Sequence, residues 1–328
     1  MKNEIVKTEK QELKEIGGAQ ALQVQLMNEL EKASQALGQG FSDYGKKCVI
    51  NAIAGLVSIC KSNGFEIKDL DPALLRLQLQ NIGYTELNYA AIPSEIYFDI
   101  RKTSKGTVLT IKPQGAGYET LTRKYGVGLK KDVGLHNAIL IREGDEFILP
   151  QYNGIETTPP VYKPKFENIN KKVVAVMYPA VKIDDTVEYL IAPREGIKPN
   201  IIAQIRQNTL YNFFKKDDKG HFLKDKNDNK IIDTEARQDF WDKLDAWAES
   251  KTVDEMLADK EYAGYINPTY TSGGSREQMV IRKMKTMLLK IILNNMTTHT
   301  LEMQLKICMK MSMIVCAKNQ LVKMSWPL

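Results

Sequence analysis

Two periods of hydrophobic and polar positions alternate along the chain, and the change between them divides it. From residue 43 to about 61, Val49, Ile50, Ile53, Leu56, Val57 and Cys60 recur at three- and four-residue steps, and Gly64 supplies a stop. That spacing places them on one side of an α-helix. Asp71-Pro72 opens a second helix, because the carboxylate caps free N–H groups and the ring pre-sets the first helical φ; Gly83 closes it. After Ala90 the period shortens. AAIPSEIYFDIRK and TVLTIK read as two strands around the turn TSKG, and GYETLTRKYG as a short helix ending at Gly126. HNAILIREGDEFIL reads as a further strand pair about Glu143-Gly144-Asp145, whereas TTPPVYKPK is too proline-rich for regular structure. KKVVAVMYPAVKIDDTVEYLIA is a hairpin turning at Asp184-Asp185.

Helical spacing then returns over about 198–214, over two short segments within 235–260, and over 273–292. A very polar stretch, KKDDKGHFLKDKNDNK, interrupts it as an exposed loop or small insertion of about 215–234. In GGSREQMVIRKMKTMLLKII, Ser275 is placed as an N-cap and Gln278 completes a capping box. Val280, Ile281, Met284, Met287, Leu288, Ile291 and Ile292 fall within an arc of roughly 140°. Arg276, Arg282, Lys283, Lys285 and Lys290 fall in the other half, with Glu277 the one acid among them. The expected class is α+β: a twisted antiparallel sheet interrupted by a helix and flanked by N- and C-terminal helices. The expected organisation is a flexible or weakly helical leader over 1–40, one core domain over 41–295, and an atypical tail over 296–328.

Charge sharpens this picture. The net charge is +6, but the tail alone carries four lysines against Glu302, half of that excess. A body so nearly balanced attracts a polyanion only where its cations cluster. Arg101, Lys102, Lys105, Lys112, Arg123, Lys124, Lys130 and Lys131 do cluster, opposed within that block by Glu119 and Asp132. Tyr97, Phe98, Tyr118 and Tyr125 lie among them. Cations that follow phosphates, interleaved with rings on which bases stack, suit single-stranded nucleic acid. The bland reading keeps the rings in a core and the lysines as a solvated surface. Arg276, Lys283 and Lys290 recur every seven residues and so drift only about 20° per step along their helix.

Other chemistries find little support. GFSDYGKK at 40–47 approaches a phosphate-binding loop, but Lys47 stands where a Ser or Thr would hold Mg²⁺, and no strand precedes it. His136, His221 and His299 are widely spaced, and no nucleophile motif is present. Cys48, Cys60, Cys308 and Cys316 make no metal-spaced pair, which suits a reducing cytoplasm. No run of eighteen apolar residues suggests a membrane span, and the charged N-terminus does not suggest secretion. The alternative to a binding protein is a metal-dependent nuclease using Glu95, Asp99, Glu143, Asp145, Asp184 and Asp185, although most of these occupy turns. A structural assembly protein with no nucleic-acid role is a third reading.

The order of segments resembles the RecT-type single-strand annealing recombinases of phages. The resemblance rests on AAIPSEIYFDIRK, TVLTIK, GAGYETLTRKYG, NAILIREGDEF, VVAVMYPAVKIDDTVEYLIA and SREQMVIRKMKTMLLKII, and covers roughly residues 45–295. It implies a protein that is not an enzyme. Such a protein binds single-stranded DNA and anneals complementary strands without ATP, self-assembling into rings or helical filaments. The annealed duplex, a phage exonuclease and a host single-strand binding protein are the further partners implied. No cofactor is expected beyond a dependence of DNA binding on Mg²⁺. From Met296 the sequence departs from that family: it holds six of the 13 methionines and no glycine. Two readings of the tail stand, a basic apolar helix or codons thrown out of frame by a single-base deletion near Asn294-Asn295.

Overall fold

The computed structural model describes residues 23–35, 40–103, 106–154, 156–226, 229–266 and 273–294. The architecture is α+β. The chain divides into two compact units where one core domain was expected: the described residues up to Asp132 together with those from Ile291, and Val133–Lys290. The tail over 296–328 lies outside the described residues.

In the first unit, helix α1 (residues 23–35) places Leu26, Met27 and Leu30 in the hydrophobic core. The expected leader therefore contains a core helix, since those three apolar positions share one side of a helix. Helix α2 (Asp43–Ser62) starts where Ser42 Oγ accepts the Gly45 N–H at 2.9 Å, so the near-phosphate-loop sequence is a helix start. Cys48, Val49, Ile53, Leu56 and Cys60 are buried, while Ile50 is exposed. Helix α3 (Pro72–Thr85) is capped by Asp71, which accepts from the N–H groups of Ala73 and Leu74.

Helix α3 runs through Gly83, its expected stop, and ends at Glu86, whose φ of 54° is left-handed. Gly83 serves packing instead. A Cβ on Gly45 would strike the Gly83 carbonyl oxygen, and one on Gly83 would strike the Phe41 ring. Gly45→Ala should therefore lower the thermal midpoint, costing about 1–3 kcal/mol of overpacking despite alanine's better helix propensity. A melt with an unchanged or raised midpoint would contradict that close approach.

Strands β1 (Ile96–Thr103) and β2 (Gly106–Pro113) form the expected hairpin, pairing Tyr97 with Lys112 and Phe98 with Ile111. Ile96, Phe98, Ile100, Leu109 and Ile111 belong to the core cluster of α2 and α3, so alternation leaves Tyr97 and Lys112 on the opposite face. Helix α4 (Gly115–Tyr125) follows.

The second unit departs further from expectation. Its strands are β3 (Ile139–Arg142), β4 (Glu146–Ile148), β5 (Gln151–Asn153), β6 (Glu156–Thr158), β7 (Val161–Lys163), β8 (Val173–Val181) and β9 (Val187–Pro193). They form separate sheets, β3-β8-β9, β4-β7 and β5-β6, and β1-β2 makes a fourth, in place of one twisted sheet. Strands β3 and β4 do not pair with each other. Asp145 instead gathers the Arg142 and Lys165 N–H groups, the Asn168 amide and the Tyr162 hydroxyl, redirecting the chain at the turn. The proline-rich segment carries β6 and β7, because Pro159 and Pro160 fall between the strands rather than within them.

Helices α5 (Lys198–Thr209), α6 (Thr234–Glu249), α7 (Val253–Ala258) and α8 (Gly273–Asn294) complete the described chain. Helix α8 begins at Gly273, so Ser275 lies inside its first turn and is not the N-cap. Its apolar side is buried at Val280, Ile281, Met284, Leu288 and Ile292, whereas Ile291 is 49% exposed.

The described residues of the polar insertion form paired backbone segments. Bridges join Lys216 to Phe222, Lys224 to Lys230 and Phe214 to Ile232. The N–H of Leu223 donates to the Lys215 carbonyl, that of Ile231 to Leu223, and that of Lys215 to Ile231, which closes a ring of three short segments. Behind the ring lies an eight-residue repeat: Phe214, Phe222 and Lys230, then Lys215, Leu223 and Ile231, and finally Asp217, Asp225 and Asp233. Each aspartate accepts backbone N–H groups of the turn that follows it.

Candidate nucleic-acid interface

Helix α8 presents its cations against a fixed apolar side. Arg282 and Lys290 are exposed, and Arg276, Lys283 and Lys285 are half-buried. Glu277 does not neutralise this row. Its carboxylate accepts the Val173 N–H at 2.7 Å and pairs with Arg194 at 2.9 Å. Lys283 has no carboxylate partner among the described residues. Burial pushes its pKa down, and the charges of Lys290 and Arg282 push the same way. The chain thus holds a partly desolvated ammonium beside two further cations.

Arg194, between β9 and α5, is buried and central to a separate network. Its guanidinium pairs with Asp254 at 2.6 Å and with Glu277, and donates to the Val173 carbonyl at 3.0 Å. Lys172 reaches Asp254 at 3.3 Å from the other side.

The residues of the 101–131 block divide. Arg101 and Lys102 sit in the ladder opposite Val108 and Thr107; their side chains, and Lys105, lie outside the described residues. Lys112 pairs with Asp99 at 3.0 Å beside Tyr97, which is 40% exposed. That solvent-facing group keeps the stacking role open to Tyr97. Phe98 does not share it: its ring lies 5.1 Å from that of Tyr89, against the core. Lys124 is also committed to the fold, paired with Glu86 at 2.6 Å and standing 5.5 Å over the Tyr44 ring. Glu86 accepts from both Lys124 and Ser42, which hold its carboxyl below the usual range and tie the starts and ends of three helices together. Arg123, Lys130 and Tyr118 are half-buried and engaged, and Lys131 is exposed.

The carboxylates considered for metal chemistry have other work. Glu95 accepts the Asn88 N–H and the Thr120 hydroxyl, Asp99 meets Lys112, and Asp184 is bonded by the N–H and hydroxyl of Thr186. Asp145 is held down to about 2, chiefly by the Asn168 amide and then by backbone N–H groups. No group of three His, Cys, Asp or Glu side chains able to hold a metal occurs among the described residues. Burial pushes the Cys48 thiol up to about 11 and raises Cys60, the reverse of what a thiolate nucleophile needs.

Sequence reasoning passed over the ring–lysine cluster of the polar insertion, where Lys230 stands over Tyr211, Phe214 and Phe222. Its signal was the eight-residue spacing of Phe214, Phe222 and Lys230. Among the described residues, no helix is long and apolar enough to cross a membrane. Compared with protein-family models, curated proteins and solved structures, the chain matches none.

Proposed function

We propose that the protein binds single-stranded DNA and promotes the pairing of complementary strands without ATP, working as a self-assembling annealing protein of the RecT type. The observation that supports this reading best is the cationic row of α8. Lys283 is half-buried with Arg282 and Lys290 at hand, while the helix's own acid is turned to Arg194. A strand of phosphates gives the Lys283 ammonium a counter-charge and releases its own condensed cations. Pairing then needs no covalent step: two strands approach once their repulsion is neutralised and their bases are exposed. Tyr97, solvent-facing beside Lys112, offers one ring for an unstacked base.

The test mixes the full chain with two dye-labelled complementary oligonucleotides, without nucleotide triphosphate. Duplex should form faster than in buffer, with both strands intact on a denaturing gel. Unchanged pairing rates, or strand cleavage when Mg²⁺ is added, would refute the proposal.

A further inference from the structure

The insertion after α5 sorts its charges. Asp217 accepts the N–H groups of Lys219 and His221, and Asp225 accepts that of Asn229, so these acids serve their own turns. Lys216 and Lys230, both exposed, have no carboxylate partner among the described residues and rest on rings instead. Lys230 Nζ stands 4.0 Å from the Phe222 centroid and 5.2 Å from those of Tyr211 and Phe214; Lys216 Nζ stands 5.3 Å from Phe222. The rings meet edge to face, Tyr211 to Phe222 at 5.0 Å and Phe214 to Phe222 at 5.8 Å. Tyr211 is 56% exposed.

An ammonium over a ring keeps N–H donors turned to solvent, because the ring attracts its charge without taking those hydrogen bonds. The cluster therefore offers a ring more than half exposed, packed against a second ring, with two cations beside it that have no carboxylate partner among the described residues. A ligand that answers both features is flat and aromatic and carries anionic oxygens at short intervals. We propose that this platform contacts a single nucleic-acid strand, stacking one base on Tyr211 and holding adjacent phosphates on Lys216 and Lys230. The platform rests on the single-strand reading above and adds to it a contact in the segment read from the sequence as an exposed loop or small insertion.

The test measures binding of the full chain to a labelled oligothymidylate and to an abasic strand of equal length. Tyr211→Ala should weaken oligothymidylate binding by at least about 5-fold, the lower end for one stacked base, and leave the abasic strand unaffected. Tyr211→Phe should restore the difference. Lys216→Ala should weaken both strands and lower the salt slope by about 0.7, one phosphate on a single strand. An equal loss on both strands with Tyr211→Ala marks a structural role and overturns the platform, as does no loss on either. If substitutions on α8 abolish binding while those at Tyr211 and Lys216 do nothing, the platform falls and the annealing proposal stands. If the unaltered protein binds neither strand, both fall.

Discussion

Replacing Arg276 with Ala, Lys283 with Met and Lys290 with Ala together should weaken single-strand binding on the order of 100-fold at 0.1 M salt. The slope of log affinity against log salt should fall by about two, since each phosphate contact on a single strand contributes about 0.7. The loss should be the same for all sequences, because phosphates carry no base identity. Lys283→Met by itself should not weaken folding. Lys283 is a half-buried cation held beside Lys290 and Arg282, so methionine keeps its apolar stem and removes a repulsion. Its depressed pKa adds a pH signature. Phosphate favours the charged form, so affinity should decline as pH rises through the depressed value, and Lys283→Arg should shift that decline to higher pH. The linked stability has the opposite sense: below the depressed value the buried charge costs stability, and the cost is relieved as pH rises. Equilibrium titrations at several salt concentrations decide the matter; unchanged affinity and slope would remove α8 from the interface.

Arg194→Ala should be the most damaging single substitution in the second unit. It leaves Asp254 with Lys172 alone and Glu277, on α8 itself, with only the Val173 N–H, and takes the guanidinium donor from the Val173 carbonyl. Breaking a buried pair costs about 3–5 kcal/mol; exposure of Asp254 at 42% and Glu277 at 23% brings the expectation to about 3 kcal/mol. Removing the acids as well, as Arg194→Met with Asp254→Asn and Glu277→Gln, should recover most of the loss. The pair has an acid limit. Burial alone would raise the Asp254 pKa, but Arg194 and Lys172 overcome it and hold the carboxyl below its ordinary value. Its contribution is therefore present above the ordinary carboxylate range and is lost as pH falls through the depressed value. Thermal melts of the two variants between pH 7 and pH 3 test both statements: Arg194→Ala should flatten the acid decline. A melting curve like that of the unaltered protein would show that Arg194 does not organise this region.

The start of α8 shows why its charges could be read but their partners could not. The row Arg276, Arg282, Lys283, Lys285 and Lys290 follows from helical spacing alone, as does the buried stripe of Val280, Met284 and Leu288. Glu277 lies one residue from Arg276, yet its partner is Arg194, more than eighty positions away. Phe98 and Tyr97 are adjacent in sequence and opposite in fate, because a strand sends neighbours to opposite faces and only packing says which face is covered. Lys124 looked like its neighbours in the basic block until Glu86 came against it.

Local chemistry sets local structure here. Asp71-Pro72 and Ser42 start helices, Asp184-Asp185 turns a hairpin, and the period of apolar residues separates helix from strand, since each depends on atoms within a few residues. Strand partners were decided only by the folded chain. Strands β3 and β4, joined by a three-residue turn, pair with β8 and β7 because hydrogen bonds to Asp145 and burial of Ile141 outweigh the nearness of the two strands along the chain. The closed ring at 214–232 needed both: its eight-residue repeat is written in the sequence, and its closure by distant backbone groups is a property of the fold.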